Sequence, residues 1–146
     1  MIAGEFWVLA HLAVTWAVVG VIWTIQLLQY PLMAQVPADG FVAFERAHQR
    51  RVTAVLALFA PLEIVAAAAV ALTVPEVPRW LAFGAGGLLA AIWVATATFY
   101  GPLHGRLSAG FDAVLHRRLV LTNWFRTAAW SLRGVAAFAM LAFVWS

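Results

Sequence analysis

An all-α integral membrane bundle of four spanning helices is the fold class the sequence predicts, and three observations predict it. Of 146 residues, 65% are hydrophobic and only 10% are charged, far from the balance of a water-soluble domain. The apolar residues gather into four stretches, roughly residues 6–28, 52–74, 80–100 and 124–145. Each approaches the ~20 residues that a helix needs to cross hydrocarbon. The nine basic residues are all arginine, and most fall in the two longer connections. One domain over residues 1–146 follows.

The first stretch resembles a secretory leader only superficially. Glu5 stands where a leader is basic, the apolar run is too long, and it continues into "IQLLQYPL" without a small-residue cleavage site. It is expected to stay as a helix. His11, Thr15, Ile22, Gln26 and Gln29 fall on one face, beside an aromatic stripe of Trp16, Trp23 and Tyr30 at two-turn intervals. The polar stripe suits hydrogen bonding between helices within the bundle. Pro31 is expected to end this helix, and Asp39 to cap the next, which runs through "FVAFERAHQRR" into the second span.

Glu63 lies near the middle of the second span. An unpaired carboxylate there costs several kcal/mol, so it needs a partner or a proton. In the third span Ala82, Gly86 and Ala90 form a small-residue ridge. The ridge is expected to pack on the alanine-rich outer half of the second span, with a homo-dimer contact as the alternative. In the fourth, counting back ~20 residues from Trp145 places Arg126 at the membrane surface, where it can snorkel, and Arg133 about 10 Å deeper. Glu63 is the acidic residue deep enough to pair with Arg133.

Arg46, Arg50 and Arg51 follow the first span, and Arg106, Arg117 and Arg118 follow the third. Positive loops mark the cytoplasmic side. Both termini and the turn "TVPEVPRW" are therefore expected outside, in a bacterial-type inner (plasma) membrane. The two long connections also match each other, with Tyr30 and Tyr100, Gly40-Phe41 and Gly110-Phe111 equally spaced before a closing His and arginines. That pattern is a candidate internal repeat of two hairpins related by an axis along the membrane normal.

Cysteine is absent, which removes disulfides, thiolate metal sites and cysteine nucleophiles. The arginines belong to the membrane pattern, so nucleic acid is not an expected partner. No His-x-x-x-His pair falls on a predicted helix, and no Ser-His-Asp arrangement is visible. No metal, haem or other cofactor is expected. The remaining polar groups converge on the cytoplasmic half: Asn123, Arg126, Thr127, Trp130 and Arg133 share one face of the last helix, His48 and Glu63 lie on the second, and Gln26, Gln29, Thr96, Tyr100 and His104 come from the others. They predict a polar cavity closed toward the outside by apolar packing. In it Glu63, His48 and His104 are the candidates for proton transfer, and Asn123, Arg126, Trp130, Arg133, Gln26 and Tyr100 for ligand binding.

At "PLHGRL" and "TNWFRT" the chain resembles the anthrone oxygenase-like family of small four-helix membrane proteins. Pro102, Leu107, Asn123, Arg126 and Thr127 fit that family's pattern, whereas His104 stands where Asn is expected and Asn123 where His is expected. The resemblance implies an enzyme that adds oxygen to an electron-rich polycyclic phenol, with a base forming the phenolate and polar groups holding it. The function expected is a cytoplasm-facing pocket for a hydrophobic or aromatic small molecule, oxidoreductive in kind. The alternative is a non-catalytic accessory subunit of a larger membrane complex, with the tryptophans and the small-residue ridge as interfaces.

Overall fold

A computed structural model describes residues 3–145. They form four long helices: α1 (Ala3–Met33), α2 (Ala38–Thr73), α3 (Arg79–Leu107) and α4 (Ala113–Val144), all long and apolar enough to cross a membrane. Successive helices run antiparallel. α1 packs most extensively on α4 and also on α2, while α3 packs on α4 and α2, so the bundle is a square in chain order. One end carries the two longer connections and most of the arginines; the other holds the turn between α2 and α3. The helices overhang the apolar runs, since the 36 residues of α2 extend about 54 Å.

Pro31 does not end α1. Residues Ile25–Gln29 form a π turn, in which the Tyr30 N–H reaches the Ile25 carbonyl five residues back, and the helix continues through Pro31 to Met33. α3 repeats the device over Thr96–Tyr100, where the Gly101 N–H bonds the Thr96 carbonyl just ahead of Pro102. Proline lacks an N–H and crowds the preceding turn, and the wider turn absorbs both defects. Gly101 eases this turn, since a Cβ there would lie 3.3 Å from the Thr96 carbonyl oxygen and press on it.

The extra residue in the π turn rotates everything after it. Trp16 and Trp23 therefore stay on the outer face, 40% and 39% exposed, while Tyr30, expected on the same stripe, is 1% exposed and faces the bundle. Asp39 is not a cap either: α2 starts at Ala38 behind Pro37, and Asp39 occupies its first turn. Asp112 caps α4 instead, its carboxylate accepting from the Val114 and Leu115 N–H groups at 2.8 and 2.9 Å.

At the far end Val8, Val70, Val74, Val77, Ala82, Ala85 and Met140 form an apolar core. The predicted ridge joins it only through Ala82. Gly86 and Ala90 border an apolar groove of about 440 Å³ across from Ala67, Ala68 and Ala71, and a Cβ on Gly86 would meet nothing within 4 Å. The small residues of α3 thus leave α2 and α3 apart along this groove. The close helix approach lies instead between α1 and α4, where the Trp16 indole donates to the Gly134 carbonyl at 3.2 Å. A Cβ on Gly134 would sit 3.1 Å from the Trp16 ring. Gly134→Ala is accordingly expected to push the indole aside at a cost of about 1–3 kcal/mol, read as a lowered unfolding midpoint together with changed tryptophan fluorescence.

Candidate functional site

The polar residues separate into two clusters, one above the other. The deeper is built on Glu63 and Arg133, both fully buried. Arg133 Nη1 donates to Glu63 Oε1, Trp130 Nε1 donates to Oε2 at 3.3 Å, and Arg133 Nε donates to the Ala85 carbonyl at 3.2 Å. Three helices thus meet on one ion pair. Pro61 lies inside α2 two residues before Glu63.

The second cluster lies near the arginine-rich end, and its centre is a carboxylate that sequence reasoning missed. Glu45, on the inward face of α2, is fully buried. Its Oε1 lies 2.6 Å from His104 Nδ1 and accepts from Gln49 Nε2 at 3.1 Å. The other imidazole nitrogen, Nε2, lies 3.0 Å from the Tyr30 hydroxyl. Glu45 therefore accepts a hydrogen bond from His104 Nδ1–H, which leaves Nε2 to accept from the phenol, a tautomer assigned from these partners. The result is a carboxylate–imidazole–phenol chain across α2, α3 and α1.

This chain opens onto a cavity of about 120 Å³ lined by Tyr30, His48, Gln49, Thr96, Tyr100, His104 and Arg126 among others. Arg126 does not snorkel to the surface. It is 4% exposed, and its guanidinium carbon stands 4.5 Å over the Tyr100 ring and 5.8 Å from the Trp130 ring. Counting depth along α4 misplaced it because the face a residue takes, and not its distance from Trp145, decides burial in a helix that overhangs its apolar run. Arg126 Nε, Glu45 Oε2 and Asn123 Oδ1 are buried with no hydrogen-bond partner among the described residues.

Of the residues predicted for the site, His48, His104, Arg126 and Tyr100 line the cavity. Glu63, Arg133 and Trp130 belong to the deeper cluster. Gln26 and Asn123 pair with each other at 2.8 Å, and Gln26 also bonds the Val120 carbonyl at 3.2 Å, so they tie α1 to α4 outside the cavity lining. His116 is equally structural: its Nε2 donates to the Tyr30 carbonyl at 2.8 Å near the end of α1.

His48 also borders a larger groove of about 570 Å³ between α1 and α2, floored by Ala17, Gly20, Val21, Phe44 and Ala47 and ending at Gln29 and Arg51. Its ring centroid lies 5.6 Å from that of His104 and 6.1 Å from that of Tyr30. Groove and cavity thus meet at His48 and Val52, which line both. On the adjoining seam, between α1 and α4, the aromatics face outward: Trp23 stands edge-on to Trp124 at 5.7 Å and donates to Ser131 Oγ, and Trp16 lies 5.5 Å from Phe138. Comparison with family models, with curated proteins and with solved structures returned no match.

Proposed function

We propose that this small membrane protein takes a lipophilic aromatic molecule bearing an acidic hydroxyl from the bilayer through the α1/α2 groove and deprotonates it at the Glu45–His104–Tyr30 chain. The observation that carries the reading is that chain, which ends on the cavity wall with Arg126 as a neighbour. A hydroxyl placed against Tyr30 would give its proton to the phenol oxygen as Tyr30 passes its own to His104 Nε2. The imidazolium so formed is held by Glu45, and the phenolate by Arg126. The cavity has room for roughly one ring, so the rest of a polycycle would lie in the groove with His48 at the partition.

The resemblance to the anthrone oxygenase-like family supplies the second half of the proposal, since a phenolate is the electron-rich form that reacts with oxygen. We place the arginine-rich end, and with it the cavity, on the cytoplasmic side of a bacterial-type inner membrane with both termini outside. Pairs 70 residues apart, Phe41 with Phe111 at 5.0 Å and Glu63 with Arg133, meet across the bundle. Equivalent residues near a pseudo-two-fold axis would do so, which supports reading the hairpins as a duplication.

Titrating the protein in lipid nanodiscs with a three-ring phenol tests the binding step through the phenolate absorbance. Wild type is expected to bind and to red-shift the phenol, and Arg126→Gln to weaken binding about 10- to 100-fold, as befits one charged hydrogen bond. Absence of binding in wild type ends the proposal. The second reading, an accessory subunit, draws on the outward strip of Trp16, Trp23, Trp124 and Phe138. It predicts a stable membrane partner cross-linking to that strip, and no phenol binding.

A further inference from the structure

We propose that His11, Thr15 and Arg133 form a buried water-binding site between α1 and α4 that hydrates the Glu63–Arg133 pair. Both ring nitrogens of His11, the Thr15 hydroxyl and Arg133 Nη2 have no hydrogen-bond partner among the described residues. The three residues are 1%, 0% and 0% exposed. A buried polar group left unpaired costs about 1–3 kcal/mol, more when charged, so four such atoms in one region demand a partner that the described residues do not supply.

The placement makes it a single site. His11 and Thr15 stand one turn apart on the inward face of α1, and Arg133 comes from the facing helix α4, where the Trp16–Gly134 hydrogen bond brings the neighbours of Thr15 and Arg133 together. Trp16 bridging to Gly134 closes the seam on one side of Thr15, and Val8 and Met140 in the apolar core close it beyond His11.

The donor and acceptor inventory selects the ligand. Arg133 Nη2 only donates, neutral His11 donates from one nitrogen and accepts at the other, and Thr15 does both. A halide, which only accepts, would satisfy the guanidinium and strand the imidazole lone pair. One water accepts from Arg133 and donates to the His11 lone pair, with Thr15 as its third partner, within the two to four bonds usual for an internal water, and the remaining His11 N–H calls for a second water.

The site is a terminus. On its inner side Glu63 is held by Trp130, whose indole N–H can donate but cannot pass a proton on, and Trp130 stands between this compartment and Arg126. The hydrated pair is thus separated from the phenol chain, and the inference does not depend on the function proposed for that chain.

Water-edited nuclear magnetic resonance on the full-length, nitrogen-labelled protein in lipid nanodiscs tests it. Magnetisation is expected to pass from water to the Arg133 guanidinium and the His11 ring, and the Arg133 transfer to be lost in His11→Phe and at least halved in the milder Thr15→Val. A dry Arg133 in wild type overturns the site, as does transfer unchanged in both variants. Exchange of chloride for gluconate is expected to leave the Arg133 resonances in place; a shift would assign the site to an anion instead.

Discussion

Replacing Arg133 by Gln is expected to destabilise the protein by about 3–5 kcal/mol, because it leaves the Glu63 carboxylate buried without its guanidinium. Among the described residues nothing replaces it: the second carboxylate oxygen has only the Trp130 N–H at 3.3 Å. Glu63→Gln is expected to fall in the same range for the converse reason, since the Ala85 carbonyl, which accepts from Arg133 Nε, satisfies one donor of the cation and none of its charge. Combining the two removes both charges at once. The double variant should therefore be more stable than the summed single costs by more than about 1 kcal/mol, the signature of residues in direct contact. Reversible unfolding in mixed micelles, followed by helical circular dichroism, measures all three. Additivity within about 0.5 kcal/mol would show that the pair contributes nothing. Because the pair joins α2 to α4 and Arg133 also bonds α3, its loss should loosen the middle of the bundle and spare the far-end core.

That pair was legible in the sequence because hydrocarbon admits so few charges. Glu63 and Arg133 were the acidic and basic residues too deep to reach water, and a rule of mutual necessity joined them. The four spans were legible for the same reason. Glu45 was not, since it lies in "FERAHQRR", where a run of charges ordinarily signals a solvated face. Its burial depends on His104 and Gln49 turning toward it, and no local pattern encodes that. The position of Tyr30 was hidden by a different cause. An unbroken 3.6-residue period puts it with Trp16 and Trp23, and only the π turn forced by Pro31 rotates it inward. The proline just after the tyrosine in both α1 and α3, Tyr30-Pro31 and Tyr100-Gly101-Pro102, is the signal that could have revealed it. Arg126 was misplaced by an argument from depth alone, which holds for a side chain facing lipid and fails for one facing the bundle.

Glu45→Gln and Tyr30→Phe are expected to lower turnover of a bound phenol by about 10²- to 10⁴-fold, the range that a positioned proton-transfer group contributes, while changing its binding only a few-fold. The asymmetry follows from the division of labour. The α1/α2 groove and Arg126 hold the molecule: neither substitution alters the groove lining, and Tyr30→Phe leaves the Arg126 guanidinium in place while removing a hydroxyl beside it. Gln at position 45 can still accept the His104 Nδ1 proton and so keep the tautomer, but it offers no charge to the imidazolium that forms when His104 takes a second proton. Phe at position 30 keeps the ring's packing against His104, whose centroid is 5.7 Å away, and removes the hydroxyl that carries the proton from cavity to imidazole. Binding by phenol absorbance and turnover by oxygen uptake separate the two effects. Equal losses in binding and turnover would make Glu45 and Tyr30 parts of the pocket wall. Unchanged turnover in both variants would remove the relay from the mechanism and leave His48, the other imidazole at the cavity, as the base to be tested next.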